Sequence, residues 1–343
     1  MNLAEPRAEL DMTNLEPDTI SNAGLARLDV GLFPSTRAAT TDRASLRRVV
    51  AAYFYAKLFV LTALLTASAW AVVDTRGLTR LILQVFLGAV LAHATELIHQ
   101  CLHRTATGRA ARDQALGMMI STPLGISFWR YLADHFAHHK DVTKESFSYS
   151  YERMNSKSLP VRVLGFVLHA SMINHFVDTI KWIGYALTGR VEKKLAATRP
   201  GLNPAMVRRV EGDYLMMAAL LILAVLVTIV FRTDLIIQLW LIPMVIGWAP
   251  IHALIELPEH WKCETSSPEA RLNTRSIRAS WLARWYVNNN CNHIGHHVDL
   301  SVSMERLPDY EVRLMQEEPF KYFEQSYPRF YFRFFRYLLT GAY

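Results

Sequence analysis

The chain has 343 residues, 51% hydrophobic and 20% charged, with a net charge of +7. Its three cysteines, Cys101, Cys263 and Cys291, include no C-x-x-C pair. That excludes a disulfide framework and a thiolate-bound iron–sulfur cluster within the chain, and it fits a reducing compartment.

Residues 1–48 are polar and mixed in charge and lack the short apolar core of a signal peptide. They are expected to form a disordered cytosolic arm that ends in an interfacial helix near residue 45. Four blocks that follow approach the roughly 20 apolar residues needed to cross a bilayer, at 49–73, 78–98, 214–231 and 235–255. Only Asp74-Thr-Arg-Gly77 parts the first two and only Arg232-Thr-Asp234 the last two, so the blocks pair into two hairpins. Lysine and arginine crowd into 104–209 and the two ends of the chain. Basic charge stays on the cytoplasmic side, which places both termini and the long middle segment in the cytosol, at the inner membrane if the source is bacterial. This distribution accounts for the net charge without a nucleic-acid partner.

A fifth apolar block, 161–189, carries His169, His175, Asp178 and Lys181, which are costly in lipid. It reads as a helix lying in the interface. The tail, 309–343, reads the same way at 328–339, where Arg329, Arg333 and Arg336 fall on one face beside aromatic residues. The expected fold is all-α: an integral membrane domain over 49–308, four spans in two hairpins, and a cytosolic helical cap carrying a dimetal site.

The cap owes its metals to histidine. His99 and His103 form an H-x-x-x-H directly after the second block; His135, His138 and His139 form an H-x-x-H-H in the middle segment; His293, His296 and His297 repeat it after the fourth block. Residues one helical turn apart share a face. All three boxes fall on one side of a membrane whose topology was drawn without them. Eight imidazoles are too many for one ion and suit two. Imidazole alone admits Zn, Cu, Fe or Ni. Zinc has no redox chemistry, whereas iron with open positions can reduce O2 and take hydrogen from an unactivated carbon. A membrane setting, with apolar substrates and strong C–H bonds, favours iron. A zinc protease of the H-E-x-x-H type is excluded, since no histidine here precedes a glutamate.

Glu96, one turn before His99, and Asp134, Asn289 and Asn292, beside the boxes, are candidates to orient ligand imidazoles. Capping or solvation is the alternative for the last three. His93 reads as packing, His252 as a tunnel or helix-packing residue, His169 and His175 as interfacial, and Cys291 as an inert buried thiol.

The box order and the sequences HQCLHRTATGR, FWRYLADHFAHHKD and NTRSIRASWLARWYVNNNCNHIGHH resemble bacterial members of the membrane fatty acid desaturase and hydroxylase superfamily, over roughly 51–308. The resemblance implies two iron ions held by the eight box histidines, with His260, in Glu259-His-Trp261, as a ninth ligand. It also implies O2 as co-substrate and either desaturation or hydroxylation. Electrons would come from an external carrier such as a ferredoxin, because the chain shows no flavin, haem or cluster motif. One departure bears on the substrate. Many members follow the third box with an apolar residue and proline, and here it continues Val-Asp-Leu-Ser. An acyl or similar lipid-like chain is the first expectation; some relatives act on carotenoids and others on small amino-acid-derived metabolites such as the rhizobitoxine precursor.

Overall fold

A computed structural model of the chain describes residues 37–144, 148–199 and 201–342. Most of the expected N-terminal arm, 1–36, lies outside the described residues, while its last part is already helical. Helix α1 runs Arg37–Asp74 and α2 runs Gly77–Leu102. The cap begins with α3 (Ala110–Ser121), α4 (Phe128–Lys140) and α5 (Ser148–Met154), followed by α6 (Leu159–Ser171), α7 (Ile173–Leu187) and α8 (Val191–Thr198). Helix α9 is Pro204–Phe231. Two π-helical stretches, Ile237–Leu241 and Met244–Trp248, lead into α10, Ala249–His260. Short elements complete the cap: α11 (Ala270–Asn273), α12 (Trp281–Tyr286), α13 (His293–Val298), α14 (Leu307–Glu317) and α15 (Tyr327–Thr340), with one parallel pairing of Ser276–Ile277 to Phe323–Glu324.

Four helical runs are long and apolar enough to cross a membrane: Ser45–Asp74, Gly77–Leu102, Pro204–Phe231 and Ile237–His260. These are the four blocks found in the sequence. Each extends beyond its apolar core on at least one side, because helices continue past the hydrocarbon into the cap. Large apolar side chains such as Phe59, Trp70, Ile229 and Phe231 point outward, as lipid-facing residues do. The fifth block passes the same test only when α6 and α7 are taken together across a 50° bend. The bend sits at Met172, whose φ is +46°.

The second and fourth spans touch backbone to backbone. A Cβ on Gly88 would lie 2.5 Å from Gly247 Cα, and one on Gly247 would lie 2.7 Å from Gly88 Cα. Small residues permit such approach where lipid supplies no hydrophobic drive for helix association. Trp248 locks the crossing with an indole N–H to Thr95 Oγ1 at 3.0 Å. A π-turn widens the helix locally and often marks a functional segment; here the two π-turns precede the part of the fourth span that faces the histidines.

The start of α4 is tied to the third span. Ser127 caps Arg130 N–H at 3.2 Å and donates to Asp213 Oδ2 at 2.8 Å, and Trp129 N–H donates to the same oxygen at 3.0 Å. A carboxylate at a helix N-terminus satisfies otherwise orphaned N–H groups. The helix carrying the second box is thereby fixed to the membrane domain. At the far end of the chain, α15 buries Phe330, Phe334, Tyr337 and Leu338 in a cluster with Trp261 and Met154. Two of the three arginines expected on its basic face, Arg329 and Arg333, approach Glu324 within 3.4 and 2.8 Å.

Candidate metal centre

The three boxes come from separate places and meet in the cap. His99 lies in the last turn of α2 and His103 caps it; His135, His138 and His139 lie on α4; His260 ends α10; His293, His296 and His297 lie on α13. They sort into two groups. His99, His103, His135, His139 and His296 form one, and His138, His260, His293 and His297 the other, with the ligand atoms of each group within 4.8 Å of one another. The i and i+4 histidines of each H-x-x-H-H box serve one group, and the i+3 histidine serves the other.

The geometry is that of ligands around cations. His99, His103 and His139 each place Nε2 within 2.8–2.9 Å of the single Nε2 of His135. One ring nitrogen has one in-plane hydrogen-bonding direction and cannot serve three partners. In the other group the Nε2 atoms of His260 and His293 are 3.2 Å apart. Both ring nitrogens of His296 and the Nε2 of His297 are buried without a hydrogen-bond partner among the described residues. Orphaned, converging imidazole nitrogens fit two metal ions. Burial holds the rings neutral, which is the ligating form: it lowers His103 to about 3 and His138 to about 4, and holds His135, His139, His293, His296 and His297 well below the usual histidine range.

Outer contacts fix tautomers in the second group. His260 Nδ1–H donates to Asn273 O at 2.9 Å, and His293 Nδ1 pairs with Asn290 Oδ1 at 3.1 Å, so Nε2 is left to the metal on both. Asn290 also donates to Glu259 Oε1 at 2.8 Å, and Glu259 Oε2 lies 3.3 Å from His293 Nε2.

The profile of the family described as Fatty acid desaturase matches residues 76–334, most of the chain and all nine histidines. The chain belongs to that family. No curated protein matches it. Family membership makes the chain an oxidoreductase of the desaturase and hydroxylase type, and the paired histidine groups are where it can hold metal.

The four outer candidates lie elsewhere than on the ligand rings. Asp134 pairs with Arg199 at 2.8 Å and with Arg130 at 3.4 Å. Asn289 and Asn292 bond to each other, amide to carbonyl at 3.0 Å, in the turn before the third box. Glu96 faces His252, 3.9 Å away, and not His99. The asparagines that do reach the site are Asn290 and Asn288. Asn290 stands one turn before His293, a spacing that could have singled it out. Asn288 donates to Glu96 O and Gln100 Oε1 at 3.1 and 2.9 Å, contacts no local pattern reveals. His93 packs on Trp285 and bonds Tyr286 O at 2.6 Å, outside both groups. His169 and His175, expected at an interface, instead donate to the carbonyls of Ala253 and Leu124 at 3.0 and 3.1 Å. Both line a cavity that reaches the histidines. Cys291 is buried and unbridged.

Proposed function

We propose that the chain is an O2-dependent diiron desaturase that converts a CH2–CH2 pair to CH=CH, with two electrons from an external ferredoxin-like carrier. The supporting observation is a shared wall. His99, His135, His138 and His293 belong to the metal groups and also line a cavity of about 560 Å³, a size suited to a small ligand. When bound, a pair of irons supplies the reduction of O2 that allows hydrogen to be taken from an unactivated carbon. O2, two electrons, two protons and the saturated pair give the alkene and two waters.

The chain's own residues hold the imidazoles neutral, orient them through Asn273 and Asn290, and enclose the substrate with Tyr131, Leu168, Met172 and Trp248. The centre and both termini are assigned to the cytosolic side, with α6–α7 in the interface and α15 closing the cap. The membrane setting favours a lipid-like substrate, while the polar side chains within the cavity's mixed lining, such as Ser127, Asn174 and Asp178, favour a small amino-acid-derived metabolite. Hydroxylation at the same centre, which consumes the same O2 and electrons but yields an alcohol and one water, is the second reading.

The test is iron content of the purified chain, with mass spectrometry of products from cells expressing it beside a ferredoxin system. About two irons per chain and a product two mass units lighter, absent with His138→Ala, support desaturation. A product sixteen units heavier assigns hydroxylation. Zinc in place of iron overturns both.

A further inference from the structure

We propose that the segment 278–290, just ahead of the third box, is a re-entrant wedge seated in the lipid leaflet that faces the cap, with Trp281 and Leu282 of α12 at the boundary of headgroups and acyl chains. The second span serves as a depth gauge. His93 Nδ1–H donates to Tyr286 O at 2.6 Å, Trp285 stacks on the His93 ring, and Tyr286 Oη donates to Ala89 O at 2.8 Å. At about 1.5 Å per helical residue, His93 and Ala89 lie about 7 and about 13 Å inside the end of the apolar block at residue 98. The two ends of the segment stand higher. Ile277 N–H donates to Cys291 O and Arg278 N–H to Glu324 O, both at 2.8 Å, and the Asn288 amide donates to Glu96 O and Gln100 Oε1. The chain therefore descends from the cap along α12, turns at Asn288 and Asn289, whose φ values are +48° and +62°, and climbs back to His293.

What the wedge shows to the outside suits lipid. Trp281 is 77% exposed and Leu282 57%, on the descending limb between Arg278 and the level of His93. Indole, an apolar ring with one donor, concentrates where membrane meets water. Arg284, one turn beyond Trp281, sends Nη2 back to Ala279 O at 3.5 Å, toward the cap. That is the direction in which an arginine at membrane depth reaches water and phosphate. Arg278, exposed and nearer the cap, stands at the level of the phosphates. Irregular backbone survives at such depth only where protein covers it. The turn obeys this rule: Val287, Asn288 and Asn290 are 3%, 0% and 5% exposed, and the exposed apolar side chains belong to the helical limb. The wedge leads straight into His293, so the bilayer holds one side of the turn that delivers the third box.

Spin-label EPR on the full chain measures the depth. The Cys263→Ser chain, whose other two cysteines are buried, takes single labels through Trp281→Cys or Leu282→Cys. Phe86→Cys, on the outward face of the second span, and Glu317→Cys, whose side chain is 69% exposed on α14, calibrate lipid and water. Each sample, in phosphatidylcholine–phosphatidylglycerol nanodiscs, meets O2, which concentrates in lipid, and a nickel chelate, which stays in water. The ratio of the two collision rates at 281 and 282 is expected to be at least about fivefold that at Glu317→Cys, for a depth of about 5–10 Å below the phosphates. A ratio equal to that at Glu317→Cys places α12 in water and overturns the inference. Loss of both collisions overturns it too, because a second copy or another protein then covers the face. The two labels are independent, and either serves where size exclusion and thermal unfolding show a native fold. The Cys263→Ser parent supplies the background from Cys101 and Cys291. No reading here involves metal or turnover, so the wedge and the desaturase stand or fall separately.

Discussion

The ammonium of Lys57, buried in the first span, donates to Asn288 Oδ1 at 2.5 Å, across 231 residues of sequence. Asn288 stands in a left-handed conformation, φ +48°, at the turn that delivers the third box. Its amide continues the chain of contacts to Gln100, which donates to Glu305 at 3.0 Å. Asn288→Ala strands a buried ammonium and a buried amide oxygen. The expected cost is about 2–4 kcal/mol, read as a lower apparent Tm, together with reduced iron per chain. Lys57→Met in the Asn288→Ala background should recover part of the stability, which a double-mutant cycle would measure.

The crossing of the second and fourth spans makes a sharper steric prediction. Any Cβ at position 88 would fall 2.5 Å from the backbone of Pro243, Gly247 and Trp248. Backbone cannot yield as a side-chain tip can, so Gly88→Ala should lower the yield of folded protein or cost at least about 2 kcal/mol. Gly184, on α7, has nothing within 4 Å of its would-be Cβ. Gly184→Ala should be neutral or raise stability by up to about 1 kcal/mol, since alanine is the better helix former. Size-exclusion profiles and thermal unfolding of the two variants side by side check the contrast.

Metal loading should follow the two histidine groups. His103→Ala removes a ligand of one group, and because α4 and α13 each serve both groups, iron per chain should fall from about two toward zero rather than rest at one. Asn290→Ala frees the His293 ring and should weaken metal affinity about 10- to 100-fold with the ligands intact. His93→Ala should leave iron content unchanged, because His93 belongs to neither group. Atomic emission on purified variants decides each case.

Glu311 gives a pH dependence with a defined sign. Its carboxyl, on α14, accepts from Gly295 N–H at 3.3 Å and from Ser276 Oγ, and burial raises it from 4.5 to about 7. Between those values the folded chain holds a proton that the unfolded chain has released. Stability from this group is therefore complete below pH 4.5 and is lost as pH rises through 7, by on the order of 3 kcal/mol. Glu311→Gln keeps both acceptor contacts and removes the titration. The difference in apparent Tm between variant and wild type should grow from pH 4.5 to 7.5 in favour of the variant. A flat difference contradicts the assignment.

The membrane helices and the eight box histidines are legible because each rests on a local signal: long apolar runs for the spans, one-turn spacing for the boxes. His260 was legible only by resemblance, as a lone histidine after the last span. The outer shell was not. Glu96 stands one turn before His99, yet the helix turns its carboxyl into the cavity. Asp134 adjoins His135, yet Arg199, 65 residues on, claims it. Contacts between distant segments leave no period in the chain, so spacing could find the ligands and could not find Lys57, Asn288 or the approach of Glu96 to His252. The helices of His169 and His175 alone point to an interface, whereas the carbonyls that receive them belong to other elements.

Each H-x-x-H-H helix divides its three rings between the two metal groups, and the two divisions interlock. His135 and His139 go one way with His138 the other, while His293 and His297 join His138 and His296 crosses back. A first ion would immobilise α4 and α13 together, and in doing so would set most of the second ion's coordination sphere in place before it arrives. The two metals should then enter and leave as a pair, with the half-loaded chain scarce at every intermediate dose.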